Sequence, residues 1–275
     1  MTLAPAMPPQ ARAAQPAGVA KSGVLDLKSS TALVVEQGGK QVLYAKNVDA
    51  VVPIASITKL MTALVVVESG LPLEERIAIT SEDRDGIKGT RSRLSIGTEL
   101  TRADLLKLAL MASENRAAAA LTRAYPGGTS AFVAAMNQKA VRLGMWHTRF
   151  VDGTGLSSAN VSTARDLVAL VGAAYRHDLI RDYTTETSHT VALANGRQLQ
   201  FSNSNRLVNN SGWDIGLSKT GYISEAGRCL VLQAKIAARP VIIVLLDSWG
   251  RLTRIGDANR IKRWIESQSL RQPAG

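Results

Sequence analysis

The sequence predicts an α/β protein of the α+β kind: an antiparallel five-stranded sheet flanked by helices, carrying an inserted all-helical lobe. Three observations predict it. Strand patterns gather near both ends of the chain, over Thr31–Lys46 and again from Thr190 to Asp247. Between them lie roughly 80 residues of helical periodicity broken only at short loops. With 275 residues and 45% hydrophobic content, the chain can bury one large core or two intimate subdomains.

Residues 1–28 are expected to be a disordered lead-in, since residues 1–22 are rich in Ala, Pro and Gln. They lack the apolar core of an intact secretory signal, yet Ala11-Arg12-Ala13 resembles the small-x-small tail of a cleavage site. The numbering is therefore expected to start inside or just after a signal peptide. Two strands, Thr31–Gln37 and Gln41–Lys46, flank Gly38-Gly39, a hairpin signal. A helix from Ser56 to about Ser69 follows. Ile57, Leu60, Met61, Leu64 and Val65 form its stripe, and Gly70 and Pro72 stop it. Thr80–Gly97 is polar and contains glycines, and no element is assigned to it.

Thr101 is a plausible N-cap with Asp104 three residues on, opening a helix that should break near Ser113. Further helices run through the alanines to Tyr125, from about Ser130 to Leu143, and from Thr163 to Arg176 with Ser162 as cap. Asn195-Gly196 reads as a type I′ hairpin pair within Thr190–Phe201. Leu217–Thr220, Arg228–Ala237 and Pro240–Asp247 read as adjacent antiparallel strands, and a helix from Arg254 to Ser267 closes a domain spanning 29–268. Residues 269–275 are left as a tail. A cleft between sheet and helical lobe is where a site is expected.

Composition limits the function. The net charge is +11 (33 basic, 22 acidic), which suits either an anionic polymer or a plain solubilising surface. Aromatic residues make up only 4%, so nucleic-acid binding lacks its stacking platform. No apolar run approaches the length of a membrane span. Cys229 is the only cysteine, and His147, His177 and His189 have no ligand spacing, so neither metal nor cofactor is expected and the histidines receive no catalytic role.

Chemistry enters through three motifs. Ser56-Ile57-Thr58-Lys59 places a hydroxyl and an amine on one helical face. A serine hydroxyl needs a base within hydrogen-bond reach, and a neutral lysine can be that base. Ser113-Glu114-Asn115 sits at a helix–helix break, where a proton-passing hydroxyl and an amide can enter a cleft. Lys219-Thr220-Gly221, on a late strand, pairs a cation and a hydroxyl fit for a carboxylate with a glycine that leaves room for substrate backbone. A charged Lys219 would depress a nearby Lys59 by repulsion, with burial acting the same way. Each motif is weak alone; helix capping explains Ser113, and a surface lysine before a turn explains Lys219. Ser158-Ala159-Asn160 repeats the second pattern and reads as a turn after Asp152-Gly153-Thr154-Gly155.

Taken together, Ser-x-x-Lys on a helix, Ser-x-Asn in a helical lobe and Lys-Thr-Gly on a late strand match the β-lactamases and penicillin-binding proteins. From about residue 30 to 268 the chain resembles the low-molecular-mass penicillin-binding proteins, most nearly their D-alanyl-D-alanine endopeptidases. The stretches Ala55–Thr62, Leu110–Ala118 and Leu217–Tyr222 carry the likeness, including Glu114 and Tyr222. Gly153 departs from it, since proline is expected before Thr154-Gly155-Leu156.

The resemblance implies a β-lactamase/transpeptidase-like fold in a periplasmic enzyme acting on peptidoglycan stem peptides, with β-lactams as covalent inhibitors. Ser56 would be the nucleophile, Lys59 its base and Ser113 the relay to the leaving amine. Asn115, Lys219, Thr220, Gly221 and Tyr222 would bind substrate, and the backbone amides of Ser56 and Tyr222 would form the oxyanion hole. Endopeptidase and D-alanyl-D-alanine carboxypeptidase share these motifs, and both stay open. No Glu-x-x-x-Asn or Tyr-x-Asn stands between the second and third motifs, which argues against a β-lactamase. A non-catalytic anionic-polymer binder would have no reason to keep all three motifs. The length beyond Lys219 leaves no expected room for a further β-rich domain or an amphipathic anchor, so a soluble protein is expected.

Overall fold

The computed structural model describes residues 25–38 and 41–270. Residues 1–24 of the expected lead-in and Gly39 of the hairpin signal lie outside them. In chain order come β1 (Ser29–Glu36), β2 (Val42–Lys46), β3 (Val52–Pro53), α1 (Thr58–Glu68), β4 (Arg76–Ala78) and β5 (Glu99–Thr101). The helical lobe follows with α2 (Arg102–Met111), α3 (Asn115–Arg123) and α4 (Gly128–Arg142), then β6 (Val161–Ser162), α5 (Ala164–Tyr175) and α6 (Asp178–Thr185). Last are β7 (Ser188–Ala192), β8 (Gln198–Ser202), β9 (Asp214–Ile223), β10 (Gly227–Ile236), β11 (Arg239–Ser248) and α7 (Thr253–Ser269).

The main sheet has five strands in the order β2-β1-β11-β10-β9, all antiparallel. It joins both ends of the chain, because Ser29 pairs with Ser248 and Glu36 with Val241. Period-two alternation sorts its side chains onto two faces. Ala32, Val34, Leu230, Leu232, Ile243 and Leu245 pack on Ala258, Ile261 and Ile265 of α7. Leu33, Val35, Val231, Ile242 and Val244 face the larger core that includes α1, α2 and α5. Residues 25–28 depart from the disordered lead-in expected over 1–28: Leu27 is buried, and the Lys28 and Ser29 amides donate to the Asp257 carboxylate of α7, which anchors this stretch to the sheet's outer layer.

α1 is buried on every side from Thr58 to Val66, so its expected apolar stripe is one part of an all-round buried helix. Thr101 caps α2 by accepting from the Asp104 amide. The cap of α5 is Thr163, not Ser162: its hydroxyl accepts from the Asp166 amide, while Ser162 belongs to β6. The β7–β8 hairpin exists, but its turn is not type I′, because only Gly196 has positive φ (78°). Leu193 accepts from Gly196 and donates to Arg197, a tight turn followed by one left-handed residue. A two-residue turn with both residues left-handed occurs instead at Ala237-Ala238 (φ 47° and 64°), joining β10 to β11. Alanine gives no warning of it.

Candidate active site

Ser56 stands in a single 3-10 turn, Ala55–Ile57, that feeds α1. Three residues on, Lys59 projects from the same face and is 1% exposed. Its Nζ lies 2.9 Å from Ser56 Oγ and donates to Asn115 Oδ1 at 2.7 Å and the Thr154 carbonyl at 2.6 Å. A neutral amine has two N–H bonds and one lone pair. In that neutral form, with both N–H bonds directed at carbonyl oxygens, the lone pair faces the Ser56 hydroxyl. Burial pulls Lys59 from its ordinary 10.5 down to about 7, while Asp152, Glu114 and Asp85 pull it upward. Desolvation, rather than the repulsion expected from Lys219, is therefore the first cause of the lowering. Lys219 is lowered well below its ordinary value, by burial first and then by the charges of Lys59 and Arg254.

The orientation of Asn115 is fixed from behind. Its Nδ2 donates to Thr90 Oγ1 at 3.0 Å, and Thr90 Oγ1 donates in turn to Asp85 Oδ2 at 2.7 Å. Since the Thr90 hydroxyl proton is committed to a carboxylate, Thr90 can only accept from Asn115. The amide must therefore turn its oxygen to Lys59. Burial alone would raise the Asp85 carboxyl, but the Lys88 amide and the Thr90 hydroxyl and amide outweigh it and hold it at about 2. These residues lie in the polar Thr80–Gly97 stretch, which carried no motif. It bridges the two lobes: Lys88 pairs with Glu225 at the β9–β10 turn, and Arg93 donates to the Gln200 carbonyl at 2.7 Å.

Ser113 occupies the left-handed region (φ 59°) at the end of α2, where glycine is the usual residue. That kink ends one helix and aims the hydroxyl at β9, where Lys219 Nζ donates to Ser113 Oγ at 2.8 Å and to the Thr220 carbonyl at 2.9 Å. Thr220 Oγ1 donates to Ser204 Oγ at 2.8 Å. β9 is an edge strand of the sheet, so its outer side is open to an added strand. Gly221 packs directly on the Ser56 turn: a Cβ there would sit 3.1 Å from Ser56 N. On the opposite side, Gly155 (φ 79°) lies so close to the Ala55 carbonyl that any Cβ would overlap it. Tyr222 is 55% exposed and lies under the Arg228 guanidinium, 4.4 Å from its ring centre.

The structure thus brings all three motifs to one cleft. Sequence reasoning missed Thr90, Asp85 and the Thr154 carbonyl, because none belongs to a motif. Asn160 of the repeated Ser-x-Asn is fully buried, where it accepts from the Val151 amide and donates to the Asp152 carbonyl, shaping the loop that supplies Thr154. At Gly153 a Cβ would run into the Thr122 hydroxyl, so the glycine is matched to its neighbour. His177 and His189 lie against Glu68 and Asp104, away from the cleft residues. Among the described residues no group of acidic, His or Cys side chains is placed to hold a metal.

The model of the S11 peptidase family, described as D-alanyl-D-alanine carboxypeptidase, matches residues 13–250. The chain belongs to this family. This S11 peptidase is 50% identical over 243 residues to the D-alanyl-D-alanine endopeptidase of Pseudomonas aeruginosa, covering 88% of this chain and 78% of that one. Against the D-alanyl-D-alanine endopeptidase of Escherichia coli the identity is 43% over 268 residues, covering 97% and 86%. The structure of the Streptomyces K15 DD-transpeptidase superposes with a TM-score of 0.79 at 28% identity, covering 87% of this chain and 97% of that one. The D-alanyl-D-alanine carboxypeptidase of Mycobacterium tuberculosis gives 0.80 at 27% identity, covering 92% and 96%. The transpeptidase-like fold expected from the resemblance is therefore the fold observed, and the S11 chain is a serine peptidase. No helix among its described residues is long and apolar enough to cross a membrane.

Proposed function

We propose that the protein is a periplasmic DD-endopeptidase that hydrolyses D-alanyl–diaminopimelate cross-links of peptidoglycan through an ester on Ser56. One observation carries the mechanism: Lys59 Nζ lies beside Ser56 Oγ while reaching the carbonyl oxygens of Asn115 and Thr154, so that its neutral form turns its lone pair to Ser56. Ser56 Oγ attacks the D-alanyl carbonyl carbon as its proton passes to Lys59 Nζ. The backbone amides of Ser56 and Tyr222 receive the developing oxyanion. As the C–N bond breaks, the departing nitrogen takes a proton from Ser113 Oγ, which Lys219 at 2.8 Å can replace. Lys59 passes the proton it took from Ser56 on to Lys219, which restores both amines. Water then attacks the ester as its proton goes to Lys59, and Lys59 returns that proton to Ser56 Oγ as the ester bond breaks.

A carboxylate arriving at Lys219 and Thr220 favours protonated Lys219, and repulsion from that charge would add to the burial that already lowers Lys59. Asn115 holds the substrate amide, and the acyl donor lies along the β9 edge, which the missing side chain of Gly221 lets close on the Ser56 turn. β-Lactams would acylate the same serine.

The preference for cross-links is supported by the endopeptidase names of the relatives at 50% and 43% identity. Incubation with purified dimeric and pentapeptide muropeptides, followed by mass spectrometry, tests it. Monomers released from dimers are expected; loss of terminal alanine from pentapeptides alone would make the enzyme a carboxypeptidase. Ser56→Ala is expected to abolish both turnover and labelling by fluorescent penicillin, and labelling that survived would remove Ser56 from the mechanism.

A further inference from the structure

Beyond Thr220 the surface opens into a cavity of about 200 Å³ walled by Arg206, Arg228, Arg251 and Arg254, with Ser204 at its base. None of these four guanidiniums pairs with a carboxylate among the described residues. Arg254 spends Nη1 on the Gly221 carbonyl at 3.1 Å and keeps a buried Nε without a partner. Arg251 and Arg254 also flank the start of α7, whose first turn contains no acid, so the cations sit at the positive end of that helix. An anion from outside would relieve this repulsion.

The cavity is tied to the candidate site by two contacts. Ser204 accepts from Thr220, and Arg254 holds the carbonyl of Gly221. A second cavity of about 170 Å³ shares Arg228 and Arg251 and adds Tyr222 and Trp249, which are 55% and 78% exposed. Arg228 stacks on Tyr222, so one guanidinium joins the cationic compartment to an aromatic one.

We propose that this paired cavity is a second anion subsite, which binds the free carboxylates of the stem peptide that leaves when a cross-link is cut. The inference rests on the cross-link reading above. A departing free alanine carries a single carboxylate, which Thr220 and Lys219 already serve. Arg206, Arg228 and Arg251 exceed what that single carboxylate needs, and they suit a larger and more anionic leaving group, as a whole stem peptide is. Guanidinium forks suit carboxylates, and Tyr222 and Trp249 give apolar stems a surface to lie on.

The test compares the intact enzyme on two cross-linked muropeptide dimers, identical except that the leaving stem carries free carboxylates in one and amides in the other. Wild type is expected to show a kcat/KM about tenfold higher on the free-acid dimer. In the Arg228→Gln/Arg251→Gln variant the ratio between the two dimers is expected to fall toward one. Because the readout is a ratio within one protein, partial loss of folded enzyme does not alter it. Arg206→Gln, at an exposed position, serves if the double variant does not fold. Equal wild-type rates on both dimers, or a ratio unchanged by the substitutions, would overturn the subsite and leave the cross-link reading standing. Failure to cut either dimer while pentapeptides are trimmed would overturn that reading, and this inference with it.

Discussion

Thr90 Oγ1 accepts a hydrogen bond from Asn115 Nδ2 at 3.0 Å while giving its own proton to Asp85. A side chain that touches no motif serine or lysine thereby sets which end of Asn115 meets Lys59. Thr90→Val keeps the shape, removes the acceptor and frees the amide to rotate. Acylation by a chromogenic β-lactam is expected to slow roughly tenfold, the equivalent of about 1.4 kcal/mol. Thr90→Ser should restore the rate, and equal slowing in both variants would refute the orienting role.

Lys59 predicts a pH signature in activity. Its ordinary 10.5 is lowered to about 7 by burial, so acylation should climb as pH rises through about 7. Lys59→Arg is expected to remove the activity at any pH near neutrality, since a guanidinium stays protonated.

The same shift predicts a signature in stability. The unfolded chain holds the Lys59 proton up to about 10.5, whereas the folded protein releases it near 7. Each pH unit within that window therefore favours the folded state by about 1.4 kcal/mol. The stability of wild type relative to Lys59→Met should rise with pH between 7 and 9, measured by urea unfolding at each pH. A flat difference would mean that the folded amine keeps its proton.

Ser113 predicts a split between stability and activity. Its φ of 59° suits glycine, so Ser113→Gly should unfold at a higher temperature than Ser113→Ala by the equivalent of about 1 kcal/mol. Both variants lack the hydroxyl, and both should lose turnover. Calorimetry beside a muropeptide assay checks the two halves separately.

Gly155 tests the support of the Ser56 turn. Gly155→Ala combines a left-handed alanine with overlap on the Ala55 carbonyl, and should cost about 3 kcal/mol and most penicillin labelling. Normal labelling would show that the loop can move aside.

The sheet, the helical lobe and the three motifs were legible because hydrophobic period and motif spacing are local properties. Thr101 and Asp104 announce their cap in four adjacent residues, and the alternation in β10 and β11 is carried by every residue. What escaped depends on distance or on backbone angles. Thr90 matters only because Asn115, 25 positions away, folds back onto it. The Ala237-Ala238 turn is imposed by the two strands it joins, against the preference of alanine. β3–β6 and β4–β5 are too short to show a period. The repulsion expected from Lys219 on Lys59 gave way to burial, which no motif displays.

The pairing of β1 with β11 has a consequence for how the molecule comes into being. Val34 waits for Ile243, a partner made some two hundred residues later, so the middle of the sheet stays open until the last strand has left the ribosome. Lys219 and Gly221 arrive in that same late stretch. A copy that stops short of β9 therefore has the serine but not the opposing strand, and its power to cut cannot precede the making of β9.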